Sequence, residues 1–336
     1  MIGSSDRAGH GPGGFAIGAR RGLEACASPR GTFTVLALDH RQNLRKELDP
    51  TDPDSVTYEA MVEFKRAVVR ILAPHATGTL LDPEVGAAQC IADGSLPASA
   101  GLIVAIEATG YAGASTARLS RVLDGWSVEK AKRMGASAAK LLVYYHPDAP
   151  TATAQERLLA DVAADCRAAD LALFVEPLSY SLVDGAALTD DARRRVVVET
   201  ARRLTAIGGD ILKAEFPYDP SVTDRGRWVD GCEELAEATG VPWVLLSGGV
   251  DDATFEAQVS VACAAGASGV VAGRSVWAGA ARTSEPSVRD EWLLTAGRDR
   301  LRRLAELVDS EARPWHHRTN RITTAPQPGD GWYRAY

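Results

Sequence analysis

Eight short runs of apolar, β-prone residues recur along the chain, and helix-forming stretches separate them. The runs are 32–39 (TFTVLALD), 78–82 (GTLLD), 102–107 (LIVAIE), 138–145 (AAKLLVYY), 171–176 (LALFVE), 210–215 (DILKAE), 242–247 (PWVLLS) and 269–274 (GVVAGR). Helical patterns lie at 56–72, 127–134, 153–168, 190–206, 228–238 and 252–265. Strand-then-helix alternation builds a parallel sheet with helices outside it. Strands apolar along their whole length fit a sheet buried on both faces. Gly208–Gly209, Gly240 and Gly266 follow helical stretches, where helix-stopping glycines belong. Eight repeats predict a closed (β/α)8 barrel, an α/β fold, rather than an open doubly wound sheet. A barrel of this kind takes about 250 residues, and the chain has 336.

The expected organisation is one barrel domain at 31–311 between two extensions. The first, 1–30, is rich in Gly and Ser over 1–13 and carries a short helix at 15–27 that can close the barrel bottom. The second, 312–336, is polar with proline and isolated aromatics, as in a surface-wrapping segment or an oligomer contact.

Most runs end in, or just before, a polar or special residue: Asp39, Asp82, Glu107, Glu176, Lys213, Ser247 and Arg274. Active sites of such barrels sit at the C-terminal ends of the strands. Carboxylates and amines converging there point to an enzyme.

The basic residues are skewed. Of 37, six are lysine (Lys46, Lys65, Lys130, Lys132, Lys140 and Lys213), which leaves 31 arginines. Arginine cannot replace lysine in amine chemistry, because its guanidinium stays protonated. Lys213 interrupts the apolar run DILKAEFP. Burial disfavours an ammonium and favours the free amine that attacks carbonyls; the alternative is a structural ion pair. Lys140, in AAKLLVYY, is a second amine for the same mouth, either lowering its neighbour's pKa, binding substrate, or pairing with a strand-end carboxylate. Glu176 can act as general acid/base or as the partner of either lysine. Asp39 can bind substrate hydroxyls or assist proton transfer. His40 and Arg41 follow it and can meet an anionic end of a substrate. With an ordinary pKa near about 6.5, His40 would be partly charged at neutral pH; it can also be a plain loop residue.

Ser247, Gly248 and Gly249 follow the seventh run, and Gly273, Arg274 and Ser275 the eighth. Loops after strands seven and eight form the common phosphate site of these barrels. Glycines let backbone N–H groups approach an anion, and an arginine adds a bidentate charge.

Other function classes are disfavoured. A net charge of −7 and a pI of about 5.5 argue against a nucleic-acid surface. No apolar run approaches a membrane span, and the N-terminus lacks the apolar core of a secretory signal. Cys26, Cys90, Cys166, Cys232 and Cys263 form no CxxC pair, and are expected to be reduced thiols of a cytoplasmic protein. The six histidines form no HxH or HExxH pattern, so no metal site is expected from them.

With these residues in place, the chain resembles class I aldolases of the tagatose 1,6-bisphosphate aldolase type and the related sulfofructosephosphate aldolases, a DeoC/LacD-like family. The resemblance rests on FTVLALDHRQNL, AAKLLVYY, FVEP, DILKAEFP and the long stretch from PWVLLSGG to VVAGRSVW. It implies a Schiff base on Lys213, acid/base work by Glu176 with Lys140 beside it, substrate contact by Asp39, and an anion held by Ser247, Gly273 and Arg274. It implies a sugar phosphate as ligand; a homo-oligomer is expected, and neither metal nor organic cofactor, since an iminium does the work of a Lewis acid. His40 stands where the family usually has glutamine, and Gly248 where Ser or Ala is usual; both bear on substrate choice. Two rival functions remain open at this stage. One is a metal-dependent aldolase or isomerase using Asp82, Glu107 and Glu176. The other is a sugar-phosphate-binding regulator without catalysis.

Overall fold

The computed structural model describes residues 17–283, 285–317 and 331–334. The Gly/Ser-rich stretch 1–13 and much of the C-terminal extension therefore lie outside the described residues. Eight strands form a closed parallel barrel in sequence order: β1 (Phe33–Leu38), β2 (Gly78–Leu81), β3 (Gly101–Ala105), β4 (Ala138–Tyr144), β5 (Ala172–Leu178), β6 (Ile211–Ala214), β7 (Trp243–Leu246) and β8 (Gly269–Ala272). The ring closes where β1 pairs with β8, Phe33 opposite Gly269. The (β/α)8 expectation thus holds, with Asp39, Asp82, Glu107, Ser247 and Arg274 just past the strand ends.

The helices start where side chains cap them. Thr57 accepts from the Ala60 N–H ahead of Tyr58–Leu72, and Ser127 from the Lys130 N–H ahead of Val128–Met134. Asp224 and Asp251 do the same for Arg225–Ala238 and Asp252–Ala264. The chain also forms helices that the apolar pattern does not reveal, among them Gln42–Leu48, Ala87–Ala92 and Arg274–Ala281.

Side chains of alternating parity divide the core in two. One set packs between strands and helices: Leu36, Leu38, Leu141, Val143, Val175, Leu212 and Leu245, for example. The other fills the lumen: Phe33, Val35, Leu80, Ile103, Ala138, Phe174, Ile211, Val244 and Val271. The helix Ile17–Cys26 adds Ala19, Leu23 and Cys26 to the lumen set, together with Trp315. It approaches closely at Gly22, where a Cβ would lie 1.9 Å from the Ser137 carbonyl oxygen. The lumen is therefore solid apolar packing at its N-terminal end, which leaves the C-terminal end for chemistry. No helix of the described residues is long and apolar enough to cross a membrane.

Candidate active site

Continuing the lumen parity upward gives the walls of a cavity of about 710 Å³ at the C-terminal ends of the strands. From Val35 the alternation reaches Ala37 and Asp39; from Ile103, Glu107; from Ala138, Lys140, Leu142 and Tyr144. From Phe174 it reaches Glu176, and from Ile211, Lys213 and Glu215. All of these line the cavity.

Lys140 and Lys213 differ sharply in their surroundings. Lys140 is 1% exposed. Its Nζ lies 2.8 Å from Asp39 Oδ2, 2.7 Å from Glu107 Oε1 and 2.7 Å from Glu176 Oε2. Burial pushes this ammonium's pKa down, but the three carboxylates outweigh it and hold the pKa well above its ordinary value. Lys213 is 5% exposed, and its Nζ donates to Glu176 Oε1 at 2.6 Å. Glu176 thus spans both lysines.

The carboxylates answer in kind. Burial drives Asp39 up, yet Lys140, then Lys213 and His40, pull its pKa well below the usual range. For Glu176, burial and Asp39 favour the neutral acid, but Lys140 and Lys213 prevail and its pKa is lowered. Glu107 accepts from Lys140 through Oε1 and from the Leu142 N–H through Oε2, at 3.1 Å.

The rival cation site does not assemble. Asp82 shares the parity of Leu80 but does not line the cavity, and pairs with Lys65 instead. Glu107 and Glu176 share Lys140, so an ammonium occupies the point where they converge.

Across the mouth from Tyr144, the loops after β7 and β8 form a polar rim. Ser247 Oγ accepts from the Gly273 N–H at 3.3 Å. Gly248 and Gly249 both have left-handed backbone, with φ of +56° and +81°. A Cβ at Gly249 would lie 3.0 Å from Arg274 Nη2, so glycine leaves that guanidinium its place. Arg274 begins the helix Arg274–Ala281 and is 38% exposed, with its nearest carboxylate, Glu47, at 3.7 Å. The other cavity-lining arginines are engaged more closely. Arg193 Nη2 donates to Glu215 Oε1 at 3.0 Å. Arg41 Nη1 donates to Glu84 Oε2 at 2.6 Å, and its Nη2 to the Glu107 carbonyl at 2.9 Å.

This geometry revises the sequence reading of His40 and Arg41. Because β1 is the neighbour of β8, His40 sits beside the Arg274 rim. A Cβ on Gly273 would be 3.3 Å from His40 Cε1. The His40 ring stands edge-to-face on Trp277, with centroids 5.3 Å apart. Burial, opposed by Asp39 and reinforced by Arg274 and Lys213, brings its pKa down to about 4. His40 is therefore neutral at pH 7, not partly charged. Arg41 is tied to Glu84 and Glu107 and presents no unengaged charge.

The sequence reading gives no site role to four wall residues: Glu107 as a member of the lysine cluster, Tyr144, Arg193 and Glu215. Parity along β3, β4 and β6 places all but Arg193 on the lumen face, and Arg193 reaches the wall from the helix Asp190–Ile207.

Comparison with known proteins bears on what this site does. The DeoC/LacD family aldolase model matches residues 33–279. Tagatose 1,6-diphosphate aldolase 2 of Streptococcus agalactiae is 31% identical over 322 residues, covering 89% of this chain and 98% of its own length. Tagatose 1,6-diphosphate aldolase of Lactococcus lactis is also 31% identical, over 88% of this chain and 97% of its own. The crystal structure of an archaeal fructose 1,6-bisphosphate aldolase shares the fold, with a TM-score of 0.58 at 23% identity over 86% of this chain and 98% of that one. Matched across the whole barrel and by relatives along nearly their full length, the chain belongs to the DeoC/LacD family of aldolases.

Proposed function

We propose that this aldolase is of class I and cleaves a ketose 1-phosphate through a Schiff base on Lys213, giving dihydroxyacetone phosphate and an aldehyde. The observation that carries this reading is the unequal pairing of the two lysines. Lys140 faces three carboxylates and stays an ammonium, so it cannot attack a carbonyl. Lys213 has one carboxylate, Glu176, which is placed to take its proton and release the neutral amine.

The steps balance without a metal. The Lys213 amine adds to C2, and the carbinolamine loses water with a proton supplied by Glu176. The resulting iminium is the electron sink. Glu176, again a carboxylate, removes the C4 hydroxyl proton, the C3–C4 bond breaks, and its electron pair forms the enamine. The aldehyde leaves, C3 is reprotonated, and water releases dihydroxyacetone phosphate. Lys140 holds Glu176 ionised for its turn as base, and Asp39 is placed to bind a substrate hydroxyl. The C1 phosphate is held by Arg274, with Ser247, Gly248 and Gly273 around it.

The likeness to tagatose 1,6-diphosphate aldolases favours tagatose or fructose 1,6-bisphosphate as substrate, with 6-deoxy-6-sulfofructose 1-phosphate as the second choice. The reading also carries the setting expected from sequence: a cytoplasmic homo-oligomer, with one catalytic domain at 31–311 between extensions 1–30 and 312–336. The test is triose phosphate release from these three ketoses by the purified protein. Release from at least one, lost in Lys213→Arg, is expected; release from none defeats the proposal.

A further inference from the structure

Lys65, on the helix Tyr58–Leu72, and Asp82, just past β2, form an ion pair, and both are fully buried. Neither side chain lines the cavity. Two buried charges are costly to desolvate, and well-packed apolar side chains of similar volume often serve stability as well or better. The contacts of this pair lead to the active site by two routes. Lys65 Nζ also donates to the Leu38 carbonyl at 2.7 Å, and Leu38 immediately precedes Asp39. Asp82 Oδ1 accepts the backbone N–H groups of Glu84 and Val85 at 2.9 and 2.8 Å, fixing the turn after β2. That turn carries Glu84, which holds Arg41, and Arg41 in turn grips the Glu107 carbonyl. Asp39 and Glu107 are two of the three carboxylates on Lys140.

We propose that the Lys65–Asp82 pair is a positioning device for the cleavage reaction: it clamps the ends of β1 and β2 so that Asp39 and Glu107 converge on Lys140. Lys65 and Asp82 touch no substrate; they act through the cluster. The inference rests on the reading above, in which Lys213 forms the imine with help from Glu176, while Asp39 and Lys140 support Glu176 in the C–C cleavage step. Both sets of contacts lead to the same cluster, through Asp39 on one route and Glu107 on the other.

The experiment compares wild type with Lys65→Met/Asp82→Leu, which replaces the pair by apolar side chains. Three quantities are read: the thermal midpoint, kcat and KM for the ketose phosphate that wild type cleaves, and the rate of borohydride-trapped adduct formation from dihydroxyacetone phosphate. The double variant is expected to fold and to trap an adduct at the wild-type rate. Its kcat should fall about ten- to a hundredfold with KM little changed, as displaced catalytic groups produce. A folded double variant with wild-type kcat overturns the proposal, and so does a loss of trapping in proportion to kcat. If the double variant does not fold, Asp82→Asn takes its place, because it keeps the shape and removes only the charge. Its kcat should fall by about threefold or more with trapping preserved, and an unchanged kcat overturns the proposal equally. Absence of a Lys213 adduct in wild type would instead defeat the Schiff-base reading, which separates the two failures.

Discussion

Glu176 holds Lys213 through Oε1 at 2.6 Å while its Oε2 lies 2.7 Å from Lys140. One carboxylate therefore contacts two amines. In the proposed mechanism Lys140 keeps it ionised and Lys213 exchanges a proton with it. All three side chains stand on strands, β4, β5 and β6, above a lumen packed by Phe174, Ile211 and their neighbours.

Removing Lys140 should expose the burden it carries. In Lys140→Met, Asp39, Glu107 and Glu176 lose their shared cation. The pKa values of Asp39 and Glu176, now held down by Lys140, should rise. The acid limb of kcat, where protonated Glu176 can no longer act as base, should move to higher pH. Stability should fall by about 3–5 kcal/mol, the usual cost of stranding buried charge. A pH profile superimposable on wild type would contradict this role.

Arg274→Ala should raise KM for the ketose phosphate by about tenfold or more, while kcat changes less. Its half-exposed position tempers the contribution, because solvent screens the charge. An unchanged KM would place the anion elsewhere.

His40 gives a prediction in stability. Its folded pKa of about 4 lies below the unfolded value near 6.5. The unfolded chain therefore takes up the proton first as pH falls. The stabilisation is complete above about 6.5 and is lost between there and about 4. His40→Gln should reduce the fall of Tm across this window relative to wild type. Parallel Tm curves for the two proteins would show that His40 titrates normally.

Much of this site was legible in the sequence because barrels obey parity. Once Lys213 is placed on β6, the lumen face follows, and Asp39, Lys140 and Glu176 fall on the same face of their own strands. The paired state of each group was not legible. That Arg41 turns to Glu84 depends on the turn after β2, and that His40 neighbours Gly273 depends on ring closure between β1 and β8. Lys65 read as one more helical lysine, since helical periodicity does not reveal which carboxylate lies beneath it. The helix Gln42–Leu48 escaped notice because only Leu44 of its seven residues is buried.

Gly22→Ala tests the closed end of the barrel. The added Cβ would meet the Ser137 carbonyl at 1.9 Å, so the helix Ile17–Cys26 must shift. Overpacking of this kind costs about 1–3 kcal/mol. Tm should fall while the folded variant keeps its kcat, because the site is at the opposite end. A wild-type Tm would mean that the helix does not press on β4 in solution.

Lys213, and not Lys140, is the proposed nucleophile. Incubation with dihydroxyacetone phosphate and borohydride, followed by peptide mapping, tests it directly. One reduced adduct per chain is expected, on the peptide bearing Lys213, and none in Lys213→Arg, whose guanidinium cannot form an imine. An adduct on Lys140, or no adduct in a protein that cleaves ketose phosphates, would contradict it.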